Sequence, residues 1–212
     1  MPQPRFIAFE GGEGCGKSTQ ARLLAQKLRA HGLEVELTRE PGGTPGAEAI
    51  RELLLNPPGE GWGTQAEALL FGAARADHVA RLIRPSLDAG RWVVCDRFVD
   101  SSRAYQGGAG GVGDQAVQTI HGIGSGGLRP DLTIILTIDR ASAMARTAAR
   151  DGDVADAIGG RSAAYHEKVD EAFAKLAKCD PESFAMIPAA GSPDDVHRAV
   201  WATIEPWLAE SV

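Results

Sequence analysis

Cysteine is scarce. Cys15, Cys95 and Cys179 are the only three in 212 residues, and they stand far apart. An odd, widely spaced set cannot found a disulfide framework, and none of the three shows zinc-ligand spacing. The expectation is a reduced, cytoplasmic chain. Long apolar runs are also missing. None approaches the roughly 20 residues of a membrane span, and the short N-terminal run ends in a charged glycine loop instead of a cleavage site. No membrane partner is expected. Positive charge is in deficit too. Lys and Arg number 22 against 28 Asp and Glu, for a net charge of −6. That balance argues against a general nucleic-acid binder. The five histidines show no metal-ligand pattern. With 43% hydrophobic and 24% charged residues, the chain has the means to bury one core. A single domain over residues 1–212, with at most a small lid, is expected.

What the chain does have is glycine in a telling place. An apolar run, Phe6-Ile7-Ala8-Phe9, leads into Glu10-Gly11-Gly12-Glu13-Gly14-Cys15-Gly16-Lys17-Ser18-Thr19. An amphipathic stretch follows. Gly11 to Ser18 fits G-x-x-x-x-G-K-[ST] between a strand and a helix, which is the phosphate-binding loop. Glycines let backbone N–H groups turn inward around a phosphate. The helix that starts there aims its positive end at the same anion. Lys17 is placed to reach the β- and γ-phosphates, and Ser18 to ligate Mg²⁺.

The apolar periods then alternate strand with helix. Strands are expected at 5–10, 33–38, 92–95, 132–138 and 183–187. Helices are expected at 17–31, 46–55, 64–89, 100–106, 114–123, 141–150, 162–178 and 193–209. Runs such as Trp92-Val93-Val94-Cys95 read as strands covered on both faces. The pattern predicts an α/β fold, a five-stranded parallel sheet flanked by helices. Ligands of such sheets bind outside the carboxyl ends of the strands. Glu10, Arg39-Glu40 and Asp96-Arg97 all fall there. Asp151 to Gly160 reads as a mobile lid loop, within a lid of about 150–162.

Three further segments carry candidate chemistry. Asp96 at a strand end can hold Mg²⁺ through water, and Arg97 beside it can grip a phosphate with two N–H groups. The bland alternative is a surface ion pair. Phe71 and Arg75 share a helix face and could stack on a base and bond its edge. By spacing alone, Phe71 reads as core and Arg75 as solvated. Ser101 to Gly108 gathers hydroxyl, phenol and amide groups after Asp96-Arg97, which suits a base and sugar; alone it would be a polar turn.

These pieces together resemble the bacterial thymidylate kinases. The matching segments are Phe9–Thr19, Thr38-Arg39-Glu40-Pro41-Gly42-Gly43-Thr44, Leu70-Phe71-Gly72-Ala73-Ala74-Arg75, Asp96–Ser102 with Ala104-Tyr105-Gln106-Gly107, and Arg129–Thr133. The resemblance implies a P-loop kinase fold with a short lid. It implies transfer of the ATP γ-phosphoryl group to dTMP, with Mg²⁺, on the route to dTTP. It also implies a homodimer.

Residue by residue, the resemblance assigns ATP phosphates to Gly11, Gly12, Glu13, Gly14, Cys15, Gly16, Lys17, Ser18 and Thr19, with Arg146. Phe71 would stack on thymine, and Arg75, Ser102 and Gln106 would read its edge. Tyr105 would pack under the deoxyribose, and Glu13 would approach the 3′-OH. Arg97 would bind the acceptor phosphate in a pocket lined by Glu40, Pro41 and Arg51. Mg²⁺ would sit on Ser18 and Asp96. The P-loop has Gly at position 14 and no arginine, which resembles the family type whose lid supplies the catalytic arginine. The family's usual Asp-Arg of the lid is Asp156-Ala157 here. Arg150 is the first candidate for that role and Arg161 the second. The alternatives are a kinase for another nucleoside monophosphate, or a nucleotide-binding switch without catalysis.

Overall fold

The structure is a computed structural model that describes residues 3–151 and 159–209. Five strands form one parallel sheet: β1 (Phe6–Glu10), β2 (Val35–Arg39), β3 (Trp92–Asp96), β4 (Leu132–Thr137) and β5 (Phe184–Pro188). Their spatial order is β2-β3-β1-β4-β5. β1 therefore lies at the centre, with Ala8 opposite Cys95 on one side and Thr133 on the other.

The sequence explains why β1 is central. Every one of its five residues is buried. Phe6 and Ala8 point into a cluster with Val79, Ile83 and Phe98. Ile7 and Phe9 point into the opposite cluster with Leu24, Leu28, Val200 and Ile204. Period-2 alternation sends successive side chains to opposite faces, and both faces here meet helices. Each fully buried Phe or Ile contributes about 1.5–3 kcal/mol relative to exposure.

Helices α1 (Lys17–Ala30) and α9 (Pro193–Ala209) cover the Ile7 face. On the other face lies α3 (Thr64–His78), which runs through a π-helical segment (Val79–Ile83) into α4 (Arg84–Asp88). This confirms the long helix expected at 64–89, with a wider turn inside it. α2 (Pro45–Leu55) precedes α3. The glycine-flanked polar segment folds as α5 (Val99–Ser102) and a second π-helical stretch, Arg103–Ala109. Such wide turns recur at functional sites. α6 (Asp114–Ser125) packs on α3 closely enough that a Cβ at Gly72 would stand 2.3 Å from an Ile120 methyl. α7 (Arg140–Asp151) and α8 (Ala163–Cys179) flank the lid region. Residues 152–158, most of the expected lid loop, lie outside the described residues. The Arg150 side chain does too.

Among the described residues no helix is long and apolar enough to cross a membrane. Trp92 and Trp201 are core residues, and Trp62 is half-buried with its indole N–H on the Leu53 carbonyl at 2.7 Å.

Candidate active site

The carboxyl ends of β1, β2 and β3 open into one cleft of about 1150 Å³. Its floor is the glycine loop between β1 and α1. Gly11, Gly14 and Gly16 all have positive φ, at 131°, 72° and 95°, where a side chain is strained. Gly14 is constrained a second way. A Cβ there would lie 2.3 Å from the Ala143 carbonyl oxygen of α7. The packing of α7 over the loop is thus the physical reason that position 14 carries no arginine. α1 begins on Gly16 without a side-chain cap. Its first N–H groups are the ones a helix leaves unpaired, and they face the loop's concavity.

Lys17 is buried, and its ammonium donates to the carbonyls of Gly11 (3.2 Å) and Gly12 (2.6 Å). Burial and the Arg97 guanidinium oppose its charge. Cys15, Glu13 and Asp96 outweigh them and hold it above the ordinary lysine value. It is a permanent cation at neutral pH. Cys15 is buried and donates to Gly12 O at 3.0 Å, filling the small space inside the loop.

The Ser18 hydroxyl donates to the Asp96 carboxylate. Both line the cleft. These are hard oxygen donors, the kind Mg²⁺ takes. Among the described residues no group of three or more His, Cys, Asp or Glu is placed to hold a metal ion. A metal here would therefore take its other ligands from phosphate and water, as Mg²⁺ does in phosphoryl-transfer sites.

Arg97 ties the glycine loop to the segment that follows β3. It is the one non-glycine residue with positive φ, 69°, among the described residues, and its N–H is fixed to Phe9 O at 2.8 Å. The guanidinium donates to Gly11 O (3.2 Å), Ser101 Oγ (3.0 Å) and the Glu13 carboxylate. It lies 5.2 Å over the Tyr105 ring. Asp96-Arg97 is thus no surface ion pair; both residues line the cleft.

Glu10 holds this loop in place and was not among the sequence-predicted site residues. Its carboxyl is fully buried and accepts from the N–H groups of Phe98 (2.8 Å) and Ser101 (2.9 Å) and from the Ser101 hydroxyl (2.6 Å). Burial, and next the neighbouring Asp100, push its pKa from 4.5 up to about 7. The folded protein therefore binds this proton more tightly than the unfolded chain. The associated stability is present below pH 4.5 and is lost as pH rises through about 7. Glu10→Gln keeps an oxygen acceptor and does not ionise. Relative to wild type it is expected to gain about 3 kcal/mol between about pH 5 and about pH 8. Denaturant melts of both chains at the two pH values check this; a gap that stays constant with pH contradicts it.

On the third side, Glu40 is buried between Arg75 (2.7 Å) and His78 (3.0 Å). Arg75 also donates to Ser102 Oγ at 2.9 Å. The spacing-based expectation for the Phe71 pair is reversed. Phe71 is half-buried and lines the cleft, whereas Arg75 is 3% exposed. The helix turns Arg75 inward because a buried carboxylate waits there. Phe71, Tyr105 and Gln106 line the cleft, as do Glu40, Pro41 and Arg51; Arg75 and Ser102 do not. Arg51 donates to the Pro41 carbonyl at 2.8 Å.

Arg146 lines the far end of the cleft near Gly191, whose carbonyl accepts from it at 3.4 Å. Arg161 is not solvated at its helix start. It is held by the Glu67 carboxylate and by the Tyr165 hydroxyl at 2.5 Å. Glu67 was missed by sequence reasoning; a lone Glu on a helix gives no signal that it will be buried.

A family model described as Thymidylate kinase matches residues 9–200. A thymidylate kinase of Rhizorhabdus wittichii is 55% identical over 192 residues, covering 91% of this chain and 92% of that one. Another, of a Bradyrhizobium strain, is 46% identical over 98% of this chain and 92% of its own. The crystal structure of thymidylate kinase from Ehrlichia chaffeensis superposes with a TM-score of 0.77 at 32% identity, covering 96% of this chain and all of that one.

Proposed function

This chain belongs to the thymidylate kinase family and is a kinase phosphotransferase, and on that premise we propose how its own residues move the γ-phosphoryl group of ATP to the 5′-phosphate of dTMP. The ATP phosphates lie in the glycine loop against the N–H groups at the start of α1, with Thr19 at their edge. The far end of the cleft, at Arg146, Gly191 and Pro193, takes the donor's base. The acceptor phosphate meets Arg97, with Arg51, Glu40 and Pro41 around it. The base lies on Phe71 with its edge toward Gln106; Arg75 and Ser102 hold the wall behind. Tyr105 packs beneath the sugar, whose 3′-OH faces Glu13.

An oxygen of the acceptor phosphate attacks the γ-phosphorus in line, and the bond to the β–γ bridging oxygen breaks. The attacking oxygen is already ionised at neutral pH, so no side-chain base is needed. Two anions must be brought together, and the residues act by positioning and by offsetting charge. Lys17 cancels charge on the donor phosphates, and Arg97 on the acceptor. Ser18 and Asp96 would hold Mg²⁺, which would supply positive charge against the charge developing on the donor phosphates. A lid arginine completes the set, with Arg150 first.

The observation that carries the reading is the convergence of Lys17, Arg97 and Phe71 on one cleft. Phe71→Ala is expected to raise the KM for dTMP by about ten- to hundredfold, the worth of a base stacked on an aromatic ring, with the KM for ATP nearly unchanged. Steady-state kinetics in both substrates checks it. A change confined to ATP would remove Phe71 from the base platform.

The homodimer is proposed through the face shared by α3 and α6, where Leu69 and Ile123 are exposed at 59% and 84%. The three free cysteines accord with a reducing cytoplasm.

A further inference from the structure

We propose that Glu67 is a positioning residue that fixes the polarity of base recognition, so that the site accepts a pyrimidine with a hydrogen on N3 and rejects one without it. The proposal deepens the reading of the cleft as a dTMP site and rests on it.

Glu67 is 5% exposed on α3, and its two oxygens are both used. Oε1 accepts from the Gln106 amide nitrogen at 2.7 Å, and Oε2 accepts from the Arg161 guanidinium. An ionised carboxylate can only accept hydrogen bonds. Gln106 must therefore turn its NH₂ group to Glu67 and its carbonyl oxygen away. No hydrogen bond from the described residues reaches that oxygen, and Gln106 is 1% exposed. Gln106 itself lines the cleft beside Phe71 and Tyr105. The pocket thus presents an acceptor at the base edge. Thymine and uracil offer a donor at N3; cytosine offers an acceptor there. Two opposed acceptors leave both groups unpaired in a desolvated pocket, a penalty of the kind that lets hydrogen-bonding sites reject a mismatched analogue strongly.

Arg161 keeps the arrangement one-sided. Its guanidinium has donors only, and it also holds the Tyr165 hydroxyl, which in turn donates to the Tyr105 carbonyl at 2.8 Å. If Glu67 became glutamine, Arg161 would claim the new carbonyl oxygen. The new NH₂ group would then face Gln106, whose amide would have to turn over and present NH₂ to the cleft. The substitution keeps shape and reverses polarity.

The test compares dTMP with 5-methyl-dCMP, which has the same outline and methyl group but the opposite pattern at N3 and C4. In wild type, kcat/KM is expected to favour dTMP by at least about a hundredfold. Glu67→Gln is expected to cut that ratio by at least about tenfold, with dTMP weakened and 5-methyl-dCMP improved. Arg161→Lys keeps a donor-only cation on Glu67, so it should weaken dTMP binding yet keep the preference. A wild type that turns over both nucleotides equally overturns the proposal without any variant. So does a Glu67→Gln enzyme in which both activities fall in parallel. Failure of wild type to phosphorylate dTMP at all would instead remove the reading of the cleft on which the proposal rests.

Discussion

Lys17→Ala is expected to lower kcat by about three orders of magnitude, the size seen when a preorganised charge stabiliser is removed from a reaction centre. The reason lies in what holds the ammonium. It sits 2.6 Å from Gly12 O and 3.2 Å from Gly11 O, inside the loop that would wrap the phosphates. Glu13 and Asp96 help keep it charged despite burial. Its charge is in place before the nucleotide arrives, so no reorganisation is needed as the transition state forms. Alanine also leaves two carbonyls without their donor, at about 1–3 kcal/mol for each one that stays desolvated. The variant should therefore melt earlier as well as turn over slowly. Single-turnover rates at saturating nucleotide separate the two effects. A folded Lys17→Ala protein with a near-normal chemical step would remove the lysine from the reaction.

Arg97→Ala comes next, with kcat/KM for dTMP expected to fall by about two to three orders of magnitude. Arg97 joins the proposed acceptor pocket to the loop: it touches Gly11 O, Glu13, Ser101 and Tyr105. Its removal takes away the cation facing the acceptor phosphate and leaves the Glu13 carboxylate beside an incoming dianion. Arg97→Lys should recover part of the loss, because it restores charge but not the planar fork. The KM for ATP should change far less than that for dTMP. Equal damage to both substrates would mean that Arg97 serves the loop's shape and not the acceptor.

The fold was legible because its strands are nearly continuous apolar runs and its breaks are marked by glycine and proline. All five expected strands are present, and their ends gather the P-loop, Glu40 and Asp96-Arg97 as the strand-end rule requires. Less legible were the buried polar partners. Spacing could not tell that Arg75 turns inward, since the carboxylate that draws it, Glu40, is 35 residues away. Glu10 sits in plain view in the loop motif, but nothing local says that it will be enclosed beside Asp100 and hold the Arg97 segment. Glu67 and Arg161 are 94 residues apart, and only the closeness of α3 and α8 to the Arg103–Ala109 segment brings them together. The absence of an arginine at position 14 was readable; its cause, the Ala143 carbonyl pressed against the loop, was not.

If Phe71, Arg97 and Lys17 serve one transfer between ATP and dTMP, a steady-state panel of nucleoside monophosphates with ATP and Mg²⁺ will show it. The predicted result is turnover with dTMP clearly preferred over dUMP, dCMP and dAMP. Turnover without that preference, or binding of ATP with no transfer to any monophosphate, would contradict it.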